Sequence, residues 1–304
     1  MTDFLHKVMT PDLPKRVWKK FRSFFILDQW ILLIANHTPD KKPSWDNFKR
    51  IIPPSDRIWA DPFIWLREGN YYVFFEEKSL NSVRGHINCM RLNENLEIIS
   101  IEPVLERSYH LSHPFLFEYQ GNLYMLPETG ENRTIEIYRC IQFPEKWEKV
   151  KNLMTGVYAV DATLLEAKER WWLFANIGKD GGSTWDTLYL FYANDPLSEF
   201  WIPHPCNPIV KDIRSSRPAG KIYSDQKGFV RPSQDCSVRY GYAINFNRIT
   251  KLTESEYEEI QEWKFTPTPK DVTATHTWNE AGGVYIIDAK VTSSKLLKNR
   301  RFSN

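Results

Sequence analysis

The chain has 304 residues, a formal net charge of +2 and 14% aromatic residues, including 12 Trp. That length suits one large all-β domain or two ordinary ones, and the near-neutral balance gives no global field for nucleic acid. Four cysteines (Cys89, Cys140, Cys206, Cys236) show neither CxxC nor metal-type spacing and read as ordinary buried thiols of a reducing compartment.

The N-terminal stretch PKRVWKKFRSFF (Pro14–Phe25) carries Lys15, Arg16, Lys19, Lys20 and Arg22 between aromatics. A basic amphipathic arm over residues 1–23 is therefore expected, suited to an anionic membrane surface through Lys15, Arg16, Lys19 and Lys20. Asp3, His6, Lys7 and Pro11 interrupt any secretory h-region, so the expected location is cytoplasmic, peripheral at the inner face of a membrane. FFILDQWILLIA (Phe24–Ala35) is too short to span a bilayer and reads as a strand. Ile26–Asn36 and Phe48–Pro54 are two strands with no local partner.

Next comes a motif that repeats. WADPFIWLREGNYYVFFEE (Trp59–Glu77) returns as LSHPFLFEYQGNLYMLPET (Leu111–Thr129) and, more loosely, as AVDATLLEAKERWWLFANI (Ala159–Ile177). Each copy reads as a hairpin turning at Glu68-Gly69, Gln120-Gly121 or Lys168-Glu169. Asp61/Glu76, His113/Glu128 and Asp161/Asn176 are each 15 residues apart and centred on those turns. The expectation is that each pair sits face to face at the open end of its hairpin.

Two further strand-like runs follow each hairpin: Gly85–Leu92 and Leu96–Leu105, Arg133–Ile141 and Lys146–Met154, then Asp186–Ala193 and a Pro-broken Phe200–Val210. A fourth unit opens at Arg217 (Arg217–Gln234) and continues through Tyr240–Ile249 and Glu258–Pro267. Leu252–Glu259 between them reads as one helical turn with Thr253 as N-cap. A fifth unit, His276–Ala289, supplies only two strands, so the N-terminal pair completes it. Unit starts at Asp61, His113, Asp161, Arg217 and His276 are 52, 48, 56 and 59 residues apart. The expected fold is an all-β five-bladed propeller over residues 24–292, four strands per blade, followed by a basic tail, 293–304.

A propeller gathers the starts of its inner strands around one axis. Asp61, His113, Asp161, Arg217 and His276 should meet there, joined from the hairpin returns by Glu76, Glu77, Glu128, Asn176, Arg231, Gln234 and Asp235, with Asp288 as the candidate from the fifth unit. One alternative is an ionic plug that only holds the blades in register. The other is a pocket for a polyhydroxylated ligand, with carboxylates accepting from vicinal diols. Paired carboxylates are also the minimum machinery for glycosidic chemistry. Asp61 is the expected base or nucleophile, and Asp161 or Glu128 the acid. Arg217, Arg231, His113 and His276 are suited to a phosphate of a sugar nucleotide or lipid-linked sugar. His113, His276, Asp61 and Glu128 form a candidate set for a divalent cation, with no spacing that selects one.

The ring of five starts resembles the clan of propeller glycosidases that includes family-43 enzymes. In that resemblance Asp61, in its ADP context, matches the base, while His113 and Asp161 depart from the second and third positions. A longer resemblance, carried by WADPF, FFEE, YHLSHPFLF, PET, HPCNPI, RPAG and RPSQDCSVRYG, is to the N-terminal domain family of the plant glucosamine inositolphosphorylceramide transferases and their stand-alone bacterial relatives. It implies a carbohydrate-active protein of surface glycan or glycolipid biosynthesis, whose plant members carry a separate glycosyltransferase domain. The expected function is glycosyl transfer. A non-catalytic glycan or nucleotide-sugar binding module, or a family-43-like hydrolase, remains the alternative.

Overall fold

In a computed structural model, which describes residues 26–37, 42–178 and 182–294, the chain is a ring of five β-sheets. Blade I comprises Arg57–Arg67, Asn70–Ser79, His86–Leu92 and Ile98–Leu105. Blade II comprises Ser112–Tyr119, Asn122–Glu128, Thr134–Gln142 and Lys146–Thr155. Blade III comprises Tyr158–Ala167, Arg170–Gly178, Leu188–Ala193 and the two-residue Ile202–Pro203. Blade IV comprises Tyr223–Asp225, Gly228–Asp235, Ala243–Leu252 and Tyr257–Phe265. In blade V an interrupted inner strand, Val272–Ala274 and Trp278–Ala281, pairs with Val284–Ser294. Ile26–Asn36 and Lys49–Ile51 complete that sheet from the other end of the chain.

The strands are nearly continuous apolar runs because both faces of each sheet are covered. Side chains alternate between faces along a strand, so neighbours in sequence serve different interfaces. Phe74 packs between blades I and II, whereas Val73 and Phe75 pack between blades V and I. In the closing strand Ile31 and Leu33 face blade IV, and Leu32 and Ile34 face blade I. Fully burying one such side chain contributes about 1.5–3 kcal/mol.

The repeated hairpins turn where the spacing puts them. Both central residues have positive φ at Glu68-Gly69, Gln120-Gly121 and Lys168-Glu169, the type I′ geometry that matches strand twist. Gly220 of the RPAG run serves a close approach: a Cβ there would lie 2.1 Å from the Trp278 carbonyl of blade V.

Three local expectations are corrected. Phe200–Val210 is not a full strand; only Ile202–Pro203 pairs, with an isolated Leu188–Val210 bridge, because its prolines remove ladder donors. Leu252–Glu259 forms no helical turn. It is a hairpin connection in which Thr253 Oγ1 accepts from the Glu256 N–H at 2.9 Å, so the cap chemistry is present on a β-turn. The face-to-face pairing of the hairpin ends fails by one residue, since Ala60, Ser112 and Val160 stand opposite Glu76, Glu128 and Asn176.

Candidate functional site

That one-residue shift comes from a β-bulge repeated in blades I to III. The ladder skips Asp61-Pro62, His113-Pro114 and Asp161-Ala162. The first residue of each bulge is left-handed, with φ of 51°, 44° and 51°. Such a conformation costs a non-glycine residue about 1–3 kcal/mol and persists where surroundings over-determine it. Here the surroundings are carboxylates of the preceding blade. Asp288 of blade V accepts from the Asp61 N–H at 3.1 Å. Asp61 accepts from the His113 N–H and Glu128 from the Asp161 N–H, both at 3.3 Å.

The five unit starts meet at the axis, as their spacing requires. Asp61 Oδ1 accepts from the Thr277 hydroxyl at 2.9 Å and lies 3.6 Å from His276 Nε2. His113 Nδ1 lies 3.6 Å from Asp161 Oδ1. Asp161 Oδ2 accepts from Arg217 Nε at 2.5 Å and Gln234 Nε2 at 3.0 Å. Arg217 also lies over the Tyr240 ring and 3.9 Å from Glu128. His276 stacks on Trp30 with ring centroids 4.2 Å apart. Its Nδ1 lies 2.5 Å from Asp288 Oδ2, and Asp288 Oδ1 accepts from the N–H groups of His276 and Thr277.

Charge at the axis is uneven. Burial pushes the Glu76 carboxyl up to about 8, aided by Asp61. Burial and Asp161 push Glu128 well above the usual carboxylate range. Asp161 goes the other way: burial opposes its charge, but the Arg217 guanidinium outweighs it and holds the carboxyl low. His276 is lifted to about 9 against its burial, by Asp288 and Asp61. His113 is pushed down by burial and stays neutral at pH 7. Thr163 Oγ1 donates to the Asp161 carbonyl and so can only accept from His113, which places the ring proton on Nε2.

Three groups are left over. His113 Nδ1 and Asn176 Oδ1 are buried acceptors without a hydrogen-bond donor. Glu76 has one described partner, His110 Nε2 at 3.7 Å.

Glu77, Arg231 and Asp235 do not join the axis. Strand alternation turns Glu77 away from Glu76, to Trp59 Nε1 at 2.6 Å and Arg57 at 2.9 Å. Arg231 and Asp235 lie on the face opposite Gln234. Arg231 pairs with Glu259 at 2.6 Å, and Asp235 with Lys264 at 2.5 Å. Both guanidinium groups considered for a phosphate already pair with a carboxylate, Arg217 with Asp161 and Arg231 with Glu259. Thr277, Thr163, Tyr240 and Trp30 also line the axis and carry no signal in the spacing of the repeat. The polar residue at the hairpin return of the fifth unit was the signal for Asp288.

Asp61, His276 and Asp288 place ligand-type atoms within 4.8 Å of one another. An imidazolium already stands between these two carboxylates, and the Asp288 oxygens already accept three backbone N–H groups. This donor set is arranged as an ion pair, and a divalent cation would have to displace the histidine proton.

The Glu76 shift has a stability consequence. A carboxyl raised from 4.5 to about 8 contributes fully below pH 4.5 and loses its contribution as pH rises through 8. Glu76→Gln copies the protonated form, so its melting temperature should climb relative to wild type between pH 5 and about 8. Parallel curves in a differential scanning series would contradict the assignment.

The basic arm and tail, with Lys15, Arg16, Lys19 and Lys20, lie outside the described residues, among which no helix is long and apolar enough to cross a membrane.

Residues 49–297 match the family model described as the N-terminal part of glucosamine inositolphosphorylceramide transferase 1. The chain is 33% identical over 211 residues to glucosamine inositolphosphorylceramide transferase 1 of Oryza sativa subsp. japonica, covering 68% of this chain and 28% of that protein. It is 29% identical over 260 residues to the Arabidopsis thaliana protein of the same name, covering 83% and 32%. It thus spans about a third of the length of these relatives. Among solved structures it is similar to the catalytic domain of a Coprinopsis cinerea GH62 α-L-arabinofuranosidase, with a TM-score of 0.60, 9% identity and coverage of 88% and 98%. A family 117 glycoside hydrolase of Zobellia galactanivorans gives a TM-score of 0.55 at 10% identity, covering 87% and 90%. At such identities the likeness is one of fold.

Proposed function

Because this chain belongs to the family of the glucosamine inositolphosphorylceramide transferase N-terminal domain, we propose that it is a carbohydrate-active protein of glycolipid or surface-glycan synthesis whose axial cluster handles a sugar. The observation that carries this reading is a division of labour among buried carboxyls. Burial raises the carboxyls of Glu76, beside Asp61, and of Glu128, beside Asp161, at equivalent hairpin returns, while Arg217 holds Asp161 low. A carboxyl raised in this way can give a proton at a pH where an ordinary carboxyl is already ionised.

Glycosyl transfer needs a proton for the leaving oxygen and a carboxylate for the developing positive charge at the sugar. Glu76 and Glu128 are the acids of this scheme, and Asp61 is the base or nucleophile. Asp161, bound to Arg217 and Gln234, orients its neighbours and gives up the acid role considered for it. Asn176 Oδ1 and His113 Nδ1 accept sugar hydroxyls.

The test pairs binding with turnover. A panel of uridine and guanosine diphosphate sugars is titrated calorimetrically, and product is sought by mass spectrometry with inositolphosphorylceramide as acceptor. Saturable binding with product that falls about 10²–10⁴-fold in Glu128→Gln supports transfer. Binding with no product for any pair supports the alternative of a non-catalytic sugar-binding module. No binding across the panel counts against both.

A further inference from the structure

Four rings form a chain of contacts from the axis to solvent. Trp30 stacks on His276, His276 meets Tyr240 edge-on with centroids 5.3 Å apart, and Tyr240 packs against Trp185 at 5.6 Å. Exposure grows along the series: His276 is 3% exposed, Tyr240 is half-buried and Trp185 is 37% exposed. Single exposed apolar side chains are normal on a protein surface. Trp185 differs from them in how closely its place is tied to the axis.

Trp185 lies between the second and third strands of blade III and directly follows Thr184. Thr184 is bonded twice to axial side chains. Its carbonyl accepts from Asn176 Nδ2 at 3.0 Å, and its hydroxyl accepts from Arg217 Nη1 at 3.3 Å. Gly178 makes room for this approach, since a Cβ there would lie 3.1 Å from Thr184 Cγ2. Arg217 also lies over the Tyr240 ring, so one guanidinium braces both Thr184 and the ring that Trp185 packs against. An aromatic surface is thereby held at the mouth of the axis before a ligand arrives, which spares the entropy of ordering it on binding.

The bond that anchors Thr184 also leaves an acceptor open. Asn176 gives its Nδ2 to Thr184, and its Oδ1 is buried and receives no hydrogen bond. Apolar surface with a few placed polar groups is the make-up of a small-molecule pocket. A pyranose meets both requirements. The C–H groups of its ring form an apolar face for the indole, and the hydroxyls on its rim supply O–H donors for Asn176.

We infer that Trp185 is the stacking platform for a pyranose at the axial site, the indole covering the C–H face of the ring while Asn176 Oδ1 accepts one of its hydroxyls. The inference rests on the sugar reading of the axis and adds to it the residue that recognises the ring.

The probes are the methyl β-pyranosides of glucose, galactose, mannose and N-acetylglucosamine, with uridine beside them, each titrated with the full chain and followed by NMR of the probe. Wild type is expected to bind a glycoside and to move its ring C–H protons upfield, the mark of a position over an indole. Trp185→Ala should weaken that binding at least about tenfold and abolish the upfield shift. Trp185→Phe, which keeps a smaller aromatic face, should retain part of both. The side chain is partly in solvent, so both variants should keep the wild-type melting temperature. Glycoside binding unchanged in Trp185→Ala, or bound by wild type without an upfield shift, overturns the platform and leaves the sugar reading standing. Uridine weakened by Trp185→Ala while the glycosides are not makes the indole a platform for a base and overturns the inference as well. No glycoside bound by wild type also overturns it, and titration of the same chain with the nucleotide sugars then decides whether the sugar reading falls too.

Discussion

Asp61→Asn is expected to leave the propeller folded and to lower sugar transfer by about 10²–10⁴-fold. Asn is among the residues that best tolerate the left-handed region, so the φ of 51° survives the change. Its N–H still reaches Asp288, and its side-chain oxygen still accepts from Thr277 or the His113 N–H. What disappears is the carboxyl facing the His276 imidazolium. The measurement is a melting temperature beside a turnover assay. An intact fold with turnover lost places chemistry at Asp61. Joint loss returns Asp61 to the structural role of an ionic plug, and an intact fold with intact turnover moves the reaction away from the axis.

The largest effect on stability is expected at Asp288. Its two oxygens accept from the N–H groups of Asp61, His276 and Thr277 and stand against the His276 ring. Asp288→Ala strips all of these at a site without solvent exposure and leaves a buried cation short of its nearest partner. A cost of about 3–5 kcal/mol follows, read as a lowered denaturation midpoint. Asp288→Asn, which keeps one acceptor oxygen, should cost less. The sign with pH is opposite to that of an ordinary paired carboxylate. His276 is raised from 6.5 to about 9, so its stabilisation is complete below pH 6.5 and is lost as pH rises through 9. Wild type should therefore weaken between pH 7 and about 9.5, and the Asp288→Ala variant should weaken less over that range. Direct observation of the His276 ring protons by NMR, still titrating near 9 in the variant, would contradict this account.

The fold was legible because its repeat is apolar, and apolar residues report burial on both faces. The five starts were legible because propeller topology leaves them one place to go. What the sequence concealed was parity. One extra residue per bulge turns Asp61 off its expected partner, Glu76, and no local feature of WADPF announces a left-handed aspartate. Parity also separates Gln234 from Arg231 and Asp235: three polar residues within five positions look like one cluster until alternation divides them between two faces. Asp161 illustrates a different limit. Its type and position were readable, but its role depends on Arg217, 56 residues on, whose reach no spacing encodes.

The closing strand has a consequence for how this ring comes into being. Ile26–Asn36 precedes every other described strand, yet it pairs with Val284–Ser294, the last. Until that partner exists, Leu32 and Ile34, both buried in the finished molecule, have only the three residues of Lys49–Ile51 to pair with. Closure therefore joins positions more than two hundred residues apart, the kind of contact that folds slowly and leaves a sticky edge while it waits. The clasp that removes the edge at the end is the part of the chain most exposed to misassembly beforehand.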